Sequence, residues 1–366
     1  MNGEQTSVRS SVVNSHNEWD PLEEVIVGSV TGAAFPAWHT INHATAPPGV
    51  WQQIQDRMGG GGVPYPEALV NAAQKELDGF IHLLESEGVT VRRVEEMDYC
   101  SSFSTPGWAV TTGFCAANPR DPFLVVGNEI IEAPMADRSR HHEAWAYRAL
   151  FKEYFRAGAK WTAAPKPQLL DALYDLNYTV PGPNEAIRFV ITEFEPVFDA
   201  ADFVRCGRDL FCQQSNVTNR FGIDWMRRHL GEGYRIHELR SRCSEAIHID
   251  TTFMPLAPGK VLINPEYLDV ESLPSILRTW DLLIAPEPVP PLDELSGVSE
   301  WAGVNVLMLD EERVVVERRQ EPLIKALGEW GFAPIPFSFE HYYPFLGSFH
   351  CATLDVRRRG ELQSYF

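Results

Sequence analysis

Phe123-Leu124-Val125-Val126-Gly127-Asn128-Glu129-Ile130-Ile131 is the stretch on which the fold turns. Two short runs of strand-forming residues flank Gly127-Asn128, a pair suited to a tight hairpin turn. Downstream, Tyr147, Leu150, Phe151, Tyr154 and Phe155 fall at i, i+3, i+4, i+7 and i+8, the spacing of one buried helix face. Gly158 then caps the helix, and Lys160-Trp161-Thr162 reads as a further strand. The result is a unit of strand, strand, helix, strand that cannot bury its apolar face alone.

Working outward, the helix, glycine and strand recur. Leu77, Phe80, Ile81 and Leu84 mark a helix over Leu69–Glu87, followed by Gly88 and Val89-Thr90-Val91. Ile223, Met226 and Leu230 lead to Gly233 and Tyr234-Arg235-Ile236. A weaker copy runs from Leu273 to Trp280 and then Leu282-Leu283-Ile284, and a last one from Leu323, Leu327 and Trp330 to Gly331 and Phe332-Ala333-Pro334. Hairpins are expected for Thr252-Phe253-Met254 with Val261-Leu262-Ile263, and for Val304–Leu309 with Val314-Val315-Val316. About five α/β units of one kind argue for a closed, circular arrangement. Residues 34–66, 170–185 and 285–303 are long irregular segments that read either as lids and substrate walls or as disorder. Nothing resembles a linker that would divide the chain.

With 366 residues, 44% hydrophobic and 22% charged, the chain can bury a large core. Its net charge of -19 disfavours polyanions such as nucleic acid and favours a small cationic substrate. The six cysteines lack Cys-x-x-Cys or zinc spacing, which reads as reduced thiols. Met1–Ser11 is no secretory or transit sequence, and no apolar run reaches membrane-spanning length. A soluble cytoplasmic protein is expected, with no metal and no cofactor.

Chemistry is concentrated near the end of the chain, in Gly347-Ser348-Phe349-His350-Cys351-Ala352-Thr353. A cysteine after a glycine-serine turn, at the mouth of an apolar strand, is placed as a nucleophile would be. Such a thiol needs a base, and the base an orienting carboxylate; His248 and Asp199 are the candidates. Asp250, two residues past His248, would share its face if the segment were a strand. Asp121 and Asp202 precede strands. Several carboxylates around one cysteine and one histidine would suit a guanidinium or amidinium. Competing readings are a packing role for Cys351, strand-end solvation for Asp121 and Asp202, and metal binding by His248, Asp250 and Asp199, although no second nearby histidine completes such a site. His350 points to the other strand face and reads as structural, His141-His142 as solvated surface, and Arg357-Arg358-Arg359 as salt-bridging.

Longer motifs carry a resemblance. Phe198-Asp199-Ala200-Ala201-Asp202-Phe203, His248-Ile249-Asp250, Asn305-Val306-Leu307-Met308-Leu309-Asp310, Glu129-Ile130-Ile131-Glu132-Ala133-Pro134-Met135 and Phe349-His350-Cys351 through Arg359-Gly360 resemble the amidinotransferase family. The match runs from about Val13 to Phe366. It implies a flexible segment, 1–12, before a single domain, 13–366, with the α/β five-bladed propeller (pentein) fold built from ββαβ units. It implies transfer of the amidino group of arginine to an amine acceptor, leaving ornithine, through an amidino-cysteine and ping-pong kinetics. By resemblance Cys351 is the nucleophile, His248 the acid/base, Asp199 its orienting partner, and Asp121 and Asp250 hold the guanidinium. The Asn264-Pro265-Glu266-Tyr267 loop has Tyr267 where glycine amidinotransferase has a carboxylate-binding arginine. Ser299 fits a carboxylate contact, and the loop carrying Glu245 and Ile247 shapes acceptor choice, Glu245 hinting at a cationic amine such as lysine. Relatives suggest a homodimer acting on small molecules. Rival functions are a hydrolase of the arginine deiminase or dihydrolase kind and a non-catalytic binding protein of the same fold.

Overall fold

A computed structural model of the chain describes residues 11–46, 50–182, 185–292 and 297–366. Residues 1–10 of the expected N-terminal segment, and parts of the three long irregular segments, lie outside these.

The chain opens with β1 (Leu22–Val27), β2 (Ala34–Phe35), α1 (Thr40–Thr45), α2 (Val50–Arg57), β3 (Val63–Pro64), α3 (Glu67–Ser86) and β4 (Thr90–Arg93). After β5 (Phe103–Ser104) and β6 (Ala109–Val110) come β7 (Phe123–Val126), β8 (Glu129–Glu132), α4 (Arg148–Arg156) and β9 (Lys160–Ala163). The third unit is β10 (Phe203–Cys206), β11 (Asp209–Gln213), α5 (Arg220–Leu230) and β12 (Arg235–Leu239). The fourth is β13 (Phe253–Ala257), β14 (Lys260–Ile263) and β15 (Asp281–Ile284). The last comprises β16 (Leu307–Met308), β17 (Arg313–Glu317), α6 (Glu321–Glu329), β18 (Ala333–Phe337) and the final strand β19 (Thr353–Arg358).

Among the described residues, five sheets are three-stranded and share one pattern, and none closes on itself. The middle strand pairs antiparallel with one neighbour and parallel with the other, as in β7-β8-β9 and β10-β11-β12. A hairpin makes the antiparallel pair, and a helical crossover of sufficient length makes the parallel one. The first sheet is assembled differently. Its middle strand β1 lies parallel to β4, but its antiparallel partner is β19 from the far end of the chain. That pairing joins the two ends and sets Cys351 at the rim of the first sheet.

The repeats behave as their apolar spacing dictates. On α3, Ala73, Leu77, Phe80, Ile81 and Leu84 are buried, and Phe80 meets Phe339 and Phe349 at ring distances of 5.1 and 5.4 Å. Full burial of each such side chain stabilises the fold by roughly 1.5–3 kcal/mol. Three expectations are corrected. The fourth unit has no α-helix: the connection from β14 to β15 is made by two 3-10 turns, Val270–Ser272 and Ser275–Thr279. The expected strand over Val304–Leu309 shrinks to two residues, since Glu300–Val304 forms a 3-10 turn. Within the expected irregular segment 34–66, two short helices form and contribute Ile41 and Ile54 to a cavity wall.

Arg205 on β10 and Asp355 on β19 are buried at a polar junction between sheets. Arg205 donates Nε to Glu18 Oε1 (2.8 Å) and Nη2 to Glu18 Oε2 and Asp355 Oδ2 (both 2.7 Å). Arg120 also binds Asp355, and Arg358 donates to its Oδ2 at 2.6 Å. Arg357 pairs with Glu23 and Glu24, and Arg359 with Glu23, so the arginine run is spent within the chain.

Candidate active site

Cys351 is presented by a turn just before β19. Leu346 caps the preceding 3-10 turn with φ +61°, and Gly347 follows where the chain runs against Asn118. A Cβ on Gly347 would lie 2.1 Å from Asn118 Oδ1 and 3.0 Å from the Cys351 Cβ, so only glycine fits there. Ala352 N then donates to Ser348 O at 2.8 Å, closing the turn. Asn305 braces it from the neighbouring segment: its Oδ1 accepts from the backbone N–H groups of His350 (3.0 Å) and Cys351 (3.2 Å). The Nδ2 of the same side chain donates to Cys351 Sγ at 3.1 Å.

The sulfur also faces Asp250, to whose Oδ2 it donates at 3.2 Å. His248 and Asp250 do not lie on a strand. His248 precedes the 3-10 turn Ile249–Thr251 and has φ +61°, ψ 135°, a conformation that costs a non-glycine residue on the order of 1–3 kcal/mol. Both side chains still reach the same site, because the turn, not strand alternation, directs them inward. His248 Nε2 lies 3.0 Å from Asp199 Oδ2 and Nδ1 lies 3.5 Å from Asp121 Oδ1. The donor atoms of Asp121, His248 and Cys351 are all within 4.8 Å of one another. Asp121 and Asp199 favour the protonated imidazole, which offers a metal no lone pair.

Asp199 is set by a buried polar knot. Asp202 accepts from Gln213 Nε2, Ser215 Oγ and Thr218 Oγ1, and Thr218 Oγ1 in turn accepts from Asp199 N at 3.1 Å. Asp121 is held by Arg140, whose Nη2 donates to its Oδ2 at 2.8 Å while the rest of the guanidinium grips Glu143. Asp121 is not among the residues lining the cavity, whereas Asp199, His248, Asp250 and Cys351 are; its Oδ1 is nevertheless buried with no hydrogen-bond partner among the described residues.

The cavity measures about 450 Å³. Ser299, Tyr267, Glu245 and Ile247 all line it. Tyr267 and Ser299 share a hydroxyl hydrogen bond of 2.7 Å, and Glu245 accepts from Ser244 Oγ and, at 3.6 Å, from Cys243 Sγ. Arg242 stands among them, its Nη2 donating to the Pro265 and Leu268 carbonyls at 2.8 and 3.0 Å. The Oδ1 atoms of Asp199 and Asp250 are buried with no hydrogen-bond partner among the described residues. Buried acceptors of this kind suit a ligand rich in N–H donors.

The electrostatics follow from burial and neighbours. Burial presses the His248 imidazole downward, but Asp121 and Asp199 outweigh it and hold its pKa well above the ordinary histidine value. Burial, Asp250 and Asp121 push the Cys351 thiol up to about 12, against the opposing pull of His248. Asp250 is lowered despite its burial, through its bond to His350, and Asp121 is raised by burial.

Three residues at this site escaped the sequence reading. Asn305 was legible in principle, as an amide set in the apolar run Val304–Leu309, where a polar side chain needs a partner. Arg140 and Arg242 carry no local signal. The adjacent His141 and His142 are not solvated surface: both are partly buried, His142 stacking on Trp145 at 4.2 Å and His141 against Trp108 at 5.3 Å.

No family model matches the chain. It is 50% identical over 362 residues to an L-arginine:L-lysine amidinotransferase from Pseudomonas savastanoi pv. phaseolicola, covering 99% of this chain and 98% of that protein. The structure of SxtG, an amidinotransferase from Microseira wollei in the saxitoxin biosynthetic pathway, superposes with a TM-score of 0.91 at 66% identity, covering 97% of this chain and all of that one. A dimethylarginine dimethylaminohydrolase structure, at 14% identity, TM-score 0.58 and 91% coverage of this chain (99% of that one), shares the α/β pentein fold alone.

Proposed function

The chain belongs to the amidinotransferase family, and from that premise we propose that it moves the amidino group of L-arginine to the amine of an amino acid such as lysine or glycine, releasing L-ornithine. One observation carries the reading: a buried thiol on a cavity floor, touched by Asp250 and Asn305, beside a histidine fixed by Asp199 and Asp121. Cys351 is the nucleophile, His248 the acid/base and Asp199 its partner. Asp250 accepts from the guanidinium through its unpaired Oδ1, and Asp121 acts through the charge it holds on His248.

Burial and the carboxylates of Asp250 and Asp121 disfavour thiolate. An arginine guanidinium placed against Asp250 brings a cation to the sulfur and offsets the anions that keep the thiol protonated. Sγ attacks the guanidinium carbon and an S–C bond forms. The bond to the ornithine nitrogen breaks as His248 donates it a proton, which the thiol proton restores. Ornithine leaves, and an S-amidino-cysteine remains. The acceptor amine attacks the same carbon; as the C–S bond breaks, His248 returns a proton to the sulfur and takes one from the amine, so the thiol re-forms. The two substrates use one pocket in turn, so ping-pong kinetics follow.

Carboxylate recognition falls to Arg242, aided by the Tyr267–Ser299 hydroxyl pair. No partner among the described residues meets Arg242 Nε or Nη1, and Arg140 is fully engaged with carboxylates. The five like-patterned sheets support five blades of one domain spanning residues 13–366; a cytoplasmic homodimer acting on small molecules is part of the same proposal. Among the described residues, no helix is long and apolar enough to cross a membrane.

The test is incubation with arginine and a panel of glycine, lysine, ornithine, an inosamine phosphate and polyamines, with guanidino products identified by mass spectrometry. Ornithine with a guanidino product, parallel initial-velocity lines, and loss of both in Cys351→Ala are expected. Citrulline with ammonia, ornithine with urea, or intersecting lines would overturn the scheme.

A further inference from the structure

His350 is 1% exposed, and each of its ring nitrogens meets a carboxylate: Nδ1 lies 2.8 Å from Asp250 Oδ2 and Nε2 lies 3.2 Å from Glu18 Oε2. A neutral imidazole has one donor and one acceptor nitrogen, and a carboxylate oxygen only accepts. Either the ring carries both protons or one carboxylate does. Glu18 is excluded as the proton holder: Arg205 grips both its oxygens, the Arg205 backbone N–H adds a bond at 3.1 Å, and Arg120 stands 3.5 Å away. Asp250 Oδ2 already accepts from the Cys351 thiol. Donation from both ring nitrogens would satisfy both carboxylates at once, so the geometry favours a doubly protonated ring.

We propose that His350 is a positioning residue for the reaction, a buried imidazolium clamped between Glu18 and Asp250 that keeps Asp250 ionised and turns its second oxygen to the cavity. The proposal rests on the reading of Asp250 as the guanidinium acceptor. The charged and titratable groups around the ring come from every neighbouring element: Glu18 before β1, Arg120 before β7 with its Nε on the His350 carbonyl at 2.8 Å, Arg205 on β10, His248 and Asp250 on their turn, Cys351 beside it and Asp355 on β19. Within this set Asp250 is the carboxylate with an oxygen left over for substrate, and His350 is the group that bonds its other oxygen. Loss of the ring charge would let Asp250 take a proton, and a protonated Asp250 cannot balance a guanidinium.

Two measurements test this. His350 and Cys351 form the chain's one His-Cys pair, so 13C-carbonyl histidine with 15N-cysteine labels this peptide alone and anchors the assignment of the His350 ring in the wild-type protein. Both ring nitrogens are expected to show imidazolium shifts at pH 7; a neutral tautomer there would overturn the proposal without any variant. In His350→Asn, an amide retains a donor toward Asp250 but not the charge. The acid limb of kcat/KM for arginine should move up by about one pH unit, a tenfold loss at a pH on that limb that fades at higher pH. A pH-independent loss, or none, would leave His350 a packing residue. If wild type forms no ornithine with any amine, the reaction reading fails, while the ring's protonation state is still decided.

Discussion

Replacing Asp250 with Asn should drive two properties of Cys351 in opposite directions. The carboxylate accepts from the sulfur at 3.2 Å and is among the causes that push the thiol up to about 12. Two unit charges 4 Å apart interact by about 4 kcal/mol at an effective dielectric near 20. The S–H bond to Asp250, which an amide oxygen partly retains, does not depend wholly on that charge, so we take about half, roughly 2 kcal/mol or about 1.5 pH units. The thiol of Asp250→Asn should then ionise more readily, and iodoacetamide at pH 8 should alkylate it about 30-fold faster than the wild-type thiol, since rate follows the thiolate fraction. Catalysis should fall instead, because the guanidinium loses its charged acceptor, by roughly 100-fold or more in kcat/KM. The assay is alkylation rate against pH by intact-protein mass spectrometry, with Cys351→Ala subtracting the other cysteines, alongside ornithine formation. Alkylation no faster than wild type would refute the idea that Asp250 holds the resting thiol protonated.

The buried junction should be sensitive to loss of a single partner. Arg205→Leu leaves Glu18 and Asp355 short of their main cation and should cost about 3–5 kcal/mol in urea unfolding; a loss below about 1 kcal/mol would contradict the account. Arg242→Gln should raise KM for arginine by about 10- to 100-fold, the effect of one charge-assisted contact, while agmatine, which lacks the carboxylate, is used as before; equal effects on both would remove Arg242 from carboxylate binding. Glu245→Gln should lower the preference for lysine over glycine by about tenfold, roughly 1.4 kcal/mol, and an unchanged ratio in competition would place Glu245 outside acceptor recognition.

Much of this molecule was legible from spacing. The α3 and α4 faces, apart from Phe155, which is exposed, and their glycine stops were readable because a buried helix stripe and a left-handed cap impose residue types locally. Pairing of β1 with β19 was not, since nothing in either strand names its partner. At the site, Cys351, His248, Asp199 and Asp250 were found as residue types, and the structure brings them together. The geometry that does so was misread: a turn with positive φ at His248 replaces the expected strand. His350 is the instructive case. Strand alternation sent it away from the site, whereas the turn before β19 brings it against Asp250 from behind. Arg140 and Arg242 act through partners distant in sequence, and their roles exist only in the folded chain.

The joining of β19 to β1 also orders events during synthesis. A growing chain can form the second, third and fourth sheets from neighbouring segments, but β1 waits for its antiparallel partner until the last strand leaves the ribosome. Cys351 and the turn that presents it arrive with that same strand. An interrupted chain thus holds much of the cavity wall but lacks Cys351, the proposed nucleophile, which joins the site only as the first sheet is completed.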